Sequence, residues 1–248
     1  MSISVCMATY NGEKYLSRQL RSILDQLTDD DEVIVVDDCS VDRTVETVKQ
    51  LDDDRITVYV NDRNRGEVFS FGRAISLAKR DFLFLSDQDD IWIPGRVALM
   101  RQHLIESRAS VVSSNFEWID TNEEPIDEPF DGVASRDSKK HLKNIVDIFV
   151  GKTNYFGCAM AFRREFASVI APIPSFVESH DLWIALASNF ASSNTHLDEK
   201  TLLKRKHSNN ATSTVSTRSL YRKLRSRIVF AVGLMVLFVR IYLKEKSA

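Results

Sequence analysis

The sequence predicts an α/β protein in which a mostly parallel sheet is sandwiched by helices. Three observations carry this expectation. Short apolar runs alternate with segments of helical periodicity through the first half of the chain. The runs are apolar almost throughout rather than alternating, so each strand needs cover on both faces. Each run also ends in a turn or acidic residue, where a parallel strand must hand over to its crossover.

The elements follow in order. Residues 3–9 (ISVCMAT) form an apolar run that stops at the turn signal Tyr10-Asn11-Gly12. Leu16, Leu20, Ile23, Leu24 and Leu27 then recur at helical spacing. Residues 32–36 (EVIVV) make a second strand ending at Asp37-Asp38. Ser40 is a suitable N-cap for a helix whose face carries Val41, Val45, Val48 and Leu51. ITVYV (56–60) is a third strand, and Gly66 precedes a helix with Val68, Phe71, Ile75 and Ala78 on one face. FLFL (82–85) is a fourth strand, followed by Ser86-Asp87-Gln88-Asp89-Asp90 and a helix after Pro94. In the less regular second half, 110–118 and 156–162 read as strands, 141–150 and 180–190 as helices, and 195–206 as one or two strands. Residues 119–140 read as a surface loop. From 217 the pattern turns basic and then strongly apolar.

Composition narrows the class. At 248 residues the chain suits one large domain or a domain with an appendage. A net charge of −2 disfavours a nucleic-acid partner, which usually demands a basic excess. Cys6, Cys39 and Cys158 are odd in number and make no CxxC pair, which fits a reducing compartment and argues against a disulfide framework or zinc site. The N-terminus lacks the basic and apolar regions of a signal peptide, so a cytoplasmic location is expected.

Ligands of parallel α/β sheets bind beyond the carboxyl ends of the strands. Three such ends carry polar residues: Thr9-Tyr10-Asn11, Asp37-Asp38 and Asp87-Gln88-Asp89. In an extended segment, side chains two apart share a side, so Asp87 and Asp89 are expected to point together as a hard-oxygen site for Mg²⁺ or Mn²⁺. The plainer alternative is a solvated acidic turn capping the helix after Pro94. A carboxylate at Asp38 can accept from a base N–H or a ribose hydroxyl, or merely favour a helix N-terminus. No GxGxxG follows the first strand and no GxxxxGK[ST] is present, which disfavours a nicotinamide cofactor and excludes a P-loop. His180-Asp181-Leu182-Trp183 puts a carboxylate near a helix start beside apolar neighbours, whose burial tends to raise its pKa toward a general-base range. Its alternative is a first-turn Asp beside a packed Trp.

The runs VCMATYNGEKYL, VIVVDDCSVDRT, NRG with SFGRAISLA, and FLFLSDQDDIW occur in that order. Together they resemble glycosyltransferase family 2, densely over 3–107 and more sparsely through FGCAMAFRR, HDLW and KHSNNAT. SDQDDIW resembles the bacterial rhamnosyltransferase-like branch, although Met7-Ala8 stands where many members carry a proline. The resemblance implies a GT-A fold over 1–216, with 1–107 the nucleotide-sugar half and 108–216 the acceptor and catalytic half. It implies that Thr9, Tyr10, Glu13 and Asp38 line the base and ribose pocket, that Asp87 sits near the donor ribose or sugar, and that Asp89 binds the metal. It makes Asp181 the catalytic base and His207 a further metal or diphosphate ligand. Arg65, Lys204, Arg205 and Lys206 are candidates for the diphosphate, with ordinary surface charge as the alternative.

The expected activity is therefore inverting, metal-dependent transfer of a sugar from a nucleotide-diphosphate sugar. Donors are dTDP-rhamnose or a UDP-hexose, and the acceptor is a glycan or lipid-linked glycan hydroxyl in surface polysaccharide synthesis. A metal-dependent nucleotidyltransferase and a non-catalytic nucleotide-sugar-binding module remain alternatives. Residues 217–248 are expected to form a helical, membrane-associating segment. Arg218, Arg222, Lys223, Arg225 and Arg227 precede the apolar run 228–239. That run spans only about 18 Å as a helix against a hydrocarbon core of about 30 Å. Peripheral contact of 218–243 with the inner face of the cell membrane is thus expected, with packing on the catalytic domain or in an oligomer as the alternative.

Overall fold

The computed structural model describes residues 1–127, 132–152, 155–207 and 220–243. Its elements are β1 (Ile3–Thr9), α1 (Glu13–Leu24), β2 (Glu32–Asp37), α2 (Thr44–Lys49), β3 (Ile56–Val60), α3 (Glu67–Leu77), β4 (Phe82–Ser86), β5 (Ile91–Trp92), α4 (Arg96–Ser107), β6 (Val111–Ile119), α5 (His141–Val150), β7 (Met160–Arg163), α6 (Ala167–Ile170), α7 (His180–Phe190), β8 (Asn194–Arg205) and α8 (Leu220–Phe238).

One eight-stranded sheet runs through both halves of the chain in the order β3-β2-β1-β4-β7-β6-β8-β5. Both faces of its strands are apolar, as continuous hydrophobic strands require. Ile3, Val5, Met7, Val33, Val35, Phe82 and Phe84 pack with Leu16, Leu20 and Ile23 of α1, Val48 of α2 and Met100 and Leu104 of α4. Cys6, Ile34, Val36, Leu83 and Leu85 pack on the opposite face with Phe71 and Ile75 of α3, Ile148 of α5 and Trp183, Ile184 and Leu186 of α7. Helices therefore cover both faces.

The expectation of a mostly parallel sheet needs correction. The first four strands are parallel to one another, with Cys6 opposite Ile34 on one side and Leu85 on the other. Beyond them the sheet is mixed, because β7 runs antiparallel to both β4 and β6, and β5 runs antiparallel to β8. The chain leaves α5 and enters β7 from the carboxyl end of β4, through a 3₁₀ turn at Gly157–Ala159. No long crossover is needed for such a return. As a result Gly157 and Cys158 lie where β4 ends. β6 and β8 are parallel to each other, so Lys204 and Arg205 also finish at that end of the sheet.

Two local expectations change as well. Ser40 does not cap α2. Its amide and hydroxyl are both taken by the Asp37 carboxylate, at 2.9 and 2.5 Å, so the helix starts later, at Thr44. Val41 consequently stands exposed rather than on the buried face. The strand expected over 156–162 is shortened to β7 by the 3₁₀ turn before it.

The C-terminal helix lies against the domain. Gly233 of α8 meets Trp183 and Leu186 of α7, and Leu237 is fully buried. Arg240, in the π-helical turn Val239–Leu243 that continues α8, turns inward and donates to the carbonyls of Val169, Ile170 and Pro172. The opposite face leaves Ile228, Met235, Phe238, Val239 and Tyr242 exposed. Among the described residues no helix is long and apolar enough to cross a membrane. Arg225 pairs with Glu178 at 3.4 Å, and Arg227 lies over the Phe149 ring of α5. The boundary at 216/217 and Arg218 lie outside the described residues, as do the side chains of Arg222 and Lys223.

Candidate active site

The rim of the site is built by loops that brace each other. The Thr9 hydroxyl, at the end of β1, donates to Asp37 at 3.0 Å and is buried. Gln88 grips the next residue from both sides, accepting from the Tyr10 amide at 2.9 Å and donating to its carbonyl at 3.1 Å. A Cβ at Gly12 would come within 2.3 Å of Gln88 Oε1, so a side chain there would push the Gln88 amide off the Tyr10 backbone. Glu13 accepts from the Arg43 amide at 2.8 Å, which ties α1 to the start of α2. Asp38 accepts from Asn61 Nδ2 at 2.7 Å and from the amides of Arg65 and Gly66 at 2.9 and 2.7 Å. Those bonds hold the loop before α3, where Gly66 adopts φ +86°, a conformation suited to glycine. Thr9 and Asp38 are thus buried braces of these loops, and Glu13 is an exposed one. Tyr10 and Arg65 stand exposed on the rim, with the Arg65 guanidinium over the Phe69 ring at 3.8 Å.

The acidic turn after β4 departs from the expected geometry. Residues 87–90 bend rather than extend, so Asp87 and Asp89 do not follow the period of two and are turned to different partners. Asp87 Oδ2 meets Lys204 Nζ at 3.0 Å. Asp90 lies 3.7 Å from the same ammonium, and Cys158 Sγ lies 3.4 Å from it. Asp89 Oδ2 instead meets His207 Nε2 at 2.6 Å. Burial pushes the Asp90 carboxyl up to about 7, opposed by Lys204 and reinforced by Asp89 and Asp87. Burial also opposes ionisation of Asp87, but Lys204 and then His180 outweigh it and hold that carboxyl below its ordinary range.

Two places offer metal-ligand chemistry. Asp87, Asp90 and Cys158 bring three donor atoms within 4.8 Å of one another, but the Lys204 ammonium already supplies positive charge there. Asp89 and His207 bring a carboxylate oxygen and an imidazole nitrogen together at 2.6 Å, hydrogen-bonded to each other, and both groups are of ligand type for a divalent ion. The His207 ring is further steadied by stacking on Tyr15 at 5.3 Å. Lys204 and Arg205, expected at the diphosphate, are instead buried. Arg205 donates to the carbonyls of Asp89 and Asp120 and to Glu123. They pin the end of β8 to the acidic turn, while Lys206 remains exposed.

The third element stands at the start of α7. Ser179 is its N-cap, accepting from the Leu182 amide at 3.3 Å, and the Ser179 hydroxyl also donates to Asp181 Oδ1. The Gly157 amide donates to the other oxygen, Oδ2, at 3.3 Å. Capping therefore belongs to Ser179, and Asp181 is held about one-fifth exposed with its carboxylate fixed. Trp183 points into the core and donates its indole N–H to Ile170 at 3.0 Å.

Glu67, at the first position of α3, ties these elements together. Desolvation raises its carboxyl pKa, His180 opposes that rise, Asp181 and Asp87 add to it, and Lys204 opposes it. Residues from the starts of α3 and α7 and the ends of β4 and β8 thus lie within electrostatic reach of one another. Sequence reading missed Gln88, Asp90, Cys158 and Ser179, and it missed Glu67 and His180 as cleft residues. A serine two residues before Asp181 was the one available signal, since Ser at a helix start is a standard cap.

Comparison with known proteins agrees with this architecture. The model of glycosyl transferase family 2 matches residues 4–170. RfbG of Shigella flexneri, a dTDP-rhamnosyl transferase, is 28% identical over 242 residues, covering 88% of this chain and 78% of RfbG. WfgD of Escherichia coli, a UDP-Glc:alpha-D-GlcNAc-diphosphoundecaprenol beta-1,3-glucosyltransferase, is 30% identical over 120 residues, 48% of this chain and 47% of WfgD. The chain spans about half the length of the first curated relatives it matches, 54% in one case and 47% in another. The crystal structure of S. aureus TarS 1-349 in complex with UDP-GlcNAc superposes with a TM-score of 0.70 at 20% identity, covering 96% of this chain and 70% of that one, a likeness of fold.

Proposed function

The chain belongs to glycosyl transferase family 2, and from that premise we propose that it transfers a sugar, with inversion, from a nucleoside-diphosphate sugar to an acceptor hydroxyl. The observation that carries this reading is the grouping of carboxylates at the carboxyl end of β4: Gly157 holds Asp181, and the adjacent Cys158 shares the Lys204 ammonium with Asp87. The rim formed by Tyr10, Asp38 and Arg65 receives the nucleotide, and Asp87 faces the donor ribose or sugar. Asp89 and His207 would hold a Mg²⁺ or Mn²⁺, which would supply positive charge to the leaving diphosphate.

Asp181 accepts the proton of the acceptor hydroxyl as its oxygen bonds to the anomeric carbon. The bond from that carbon to the diphosphate oxygen breaks from the opposite face, and the nucleoside diphosphate leaves with its electron pair. Ser179 and the Gly157 amide fix the carboxylate for that step, and correct placement of the two reactants supplies much of the rate. Similarity to RfbG supports dTDP-rhamnose as the first donor to try, with UDP-hexoses next. A glycan or lipid-linked glycan is the acceptor of this reading, made in surface polysaccharide synthesis. The exposed apolar stripe of α8 supports contact with the inner face of the cell membrane, where such an acceptor would be concentrated.

The test is turnover with a panel of dTDP- and UDP-sugars and a lipid-linked glycan acceptor, with products resolved by chromatography. Release of a nucleoside diphosphate with a glycosylated acceptor is expected. Release of pyrophosphate would instead establish nucleotidyl transfer.

A further inference from the structure

His180 is 4% exposed, yet neither ring nitrogen has a hydrogen-bond partner among the described residues. The imidazole lies flat on Phe71, with ring centroids 4.0 Å apart. The nearest carboxylate oxygen, on Asp181, stands 4.0 Å from Nδ1, beyond hydrogen-bond range. Gly157 makes room for the other nitrogen, since a Cβ there would fall 2.5 Å from His180 Nε2. The fold thus clears space around a buried polar ring and then gives it nothing to bond. Buried polar groups are nearly always paired, so an orphan at the floor of a cleft points to a partner that arrives with the ligand.

Glu67 is an exposed carboxylate at the first position of α3, one helical turn before Phe71, whose ring carries His180. It has no hydrogen bond or ion pair among the described residues, and it lies within electrostatic reach of His180, Asp181 and Asp87. The Cα of Glu67 is set by Gly66, whose amide is locked to Asp38. Both side chains are therefore held by rigid elements, one at the start of α3 and one at the start of α7.

We infer that Glu67 and His180 form a specificity subsite that reads a hydroxyl of the transferred sugar, an inference that rests on the glycosyl-transfer reading above. A neutral imidazole offers one donor and one acceptor, and a carboxylate accepts, so the pair matches a hydroxyl or a vicinal diol. The donor sugar is the occupant because the His180 side chain lies deeper than that of Asp181, 5% against 22% exposed, and Asp181 is the group that meets the later-arriving acceptor hydroxyl.

The test uses the full chain and two variants. H180F keeps the stack on Phe71 and removes only nitrogens that bond to nothing in the protein, so its Tm is expected to be unchanged or higher. E67Q keeps size and shape. Titration calorimetry with UDP and dTDP alone is compared with their sugar esters, alongside steady-state kinetics in donor and acceptor. Each variant should weaken the sugar ester by about tenfold, the scale of one hydrogen bond, while leaving the free nucleoside diphosphate within about twofold. Discrimination between donors epimeric at a single hydroxyl should shrink in both. Equal weakening of free diphosphate and sugar ester would overturn the assignment, as would a lowered Tm in H180F. A change confined to the acceptor KM would move the pair to the acceptor side and overturn it too. A wild-type chain that binds neither nucleotides nor nucleotide sugars would overturn the glycosyl-transfer reading itself, before any variant is compared.

Discussion

Replacing Lys204 by methionine removes the ammonium that faces half-buried Asp87 and buried Asp90 and Cys158, while filling nearly the same volume. Lys204 is 5% exposed and lies 3.0 Å from Asp87 and 3.7 Å from Asp90. Breaking a buried pair by deleting one partner costs about 3–5 kcal/mol, because a charge is left uncompensated. For a chain of this size each kcal/mol shifts Tm by roughly 2–4 °C, so a fall of about 6–20 °C is expected. The deficit must also depend on pH. Asp90 in the folded protein titrates at about 7, above its unfolded value, so the native state binds its proton more tightly. The penalty for ionising it is absent below the unfolded pKa and complete once the pH has passed the folded one. Losing Lys204 raises Asp90 further, and the variant can then escape part of its cost by protonating Asp90 in acid. Thermal unfolding followed by circular dichroism at about pH 5.5 and about pH 8.5 should show a clearly smaller deficit at the lower pH. An equal deficit at both, or a deficit below about 3 °C at the higher, would refute the claim that Lys204 neutralises this cluster.

Asp181→Asn keeps the bonds to Ser179 and Gly157 in shape but cannot take a proton. It should leave donor affinity nearly intact and lower kcat by about 10²–10⁴-fold, and a near-normal kcat would exclude the base role. Chelation should abolish turnover and Mg²⁺ or Mn²⁺ should restore it. Asp89→Asn and His207→Ala should each need more metal for half-restoration, whereas full activity in excess chelator sinks the metal assignment. The full chain should co-sediment with anionic vesicles and lose that binding when Met235 and Phe238 are both changed to glutamate; a wild-type chain that stays in the supernatant removes the membrane proposal.

The sheet was legible because burial on both faces leaves a strong mark. No core residue of 3–7 or 82–85 other than Ser4 is polar, and no helix of ordinary amphipathicity would tolerate that. The antiparallel strand β7 was not legible as such, because strand direction is decided by where the chain re-enters the sheet and not by composition. Ser40 misled for a related reason. A serine before an apolar period reads as a cap, but a carboxylate three residues earlier competes for the same hydroxyl and amide, and Asp37 wins them.

The site divides along the same line. Asp89 and His207 are separated by 118 positions and still meet, because β4 and β8 both end at one edge of the sheet. The resemblance assigns both to a metal, and in the fold they bond to each other. Lys204 and Arg205 look in sequence like surface cations free to meet a diphosphate. Burial reverses their meaning, since a cation sealed beside Asp87 and Asp90 balances charge rather than waiting for a ligand. His180 is the converse case. In sequence it is the residue beside Asp181, with nothing to mark it. Only its surroundings reveal two nitrogens enclosed without partners, above a glycine that any side chain would turn into a clash. Unmet hydrogen-bonding capacity is a property of three-dimensional neighbours, so no reading of residue types along the chain can find it.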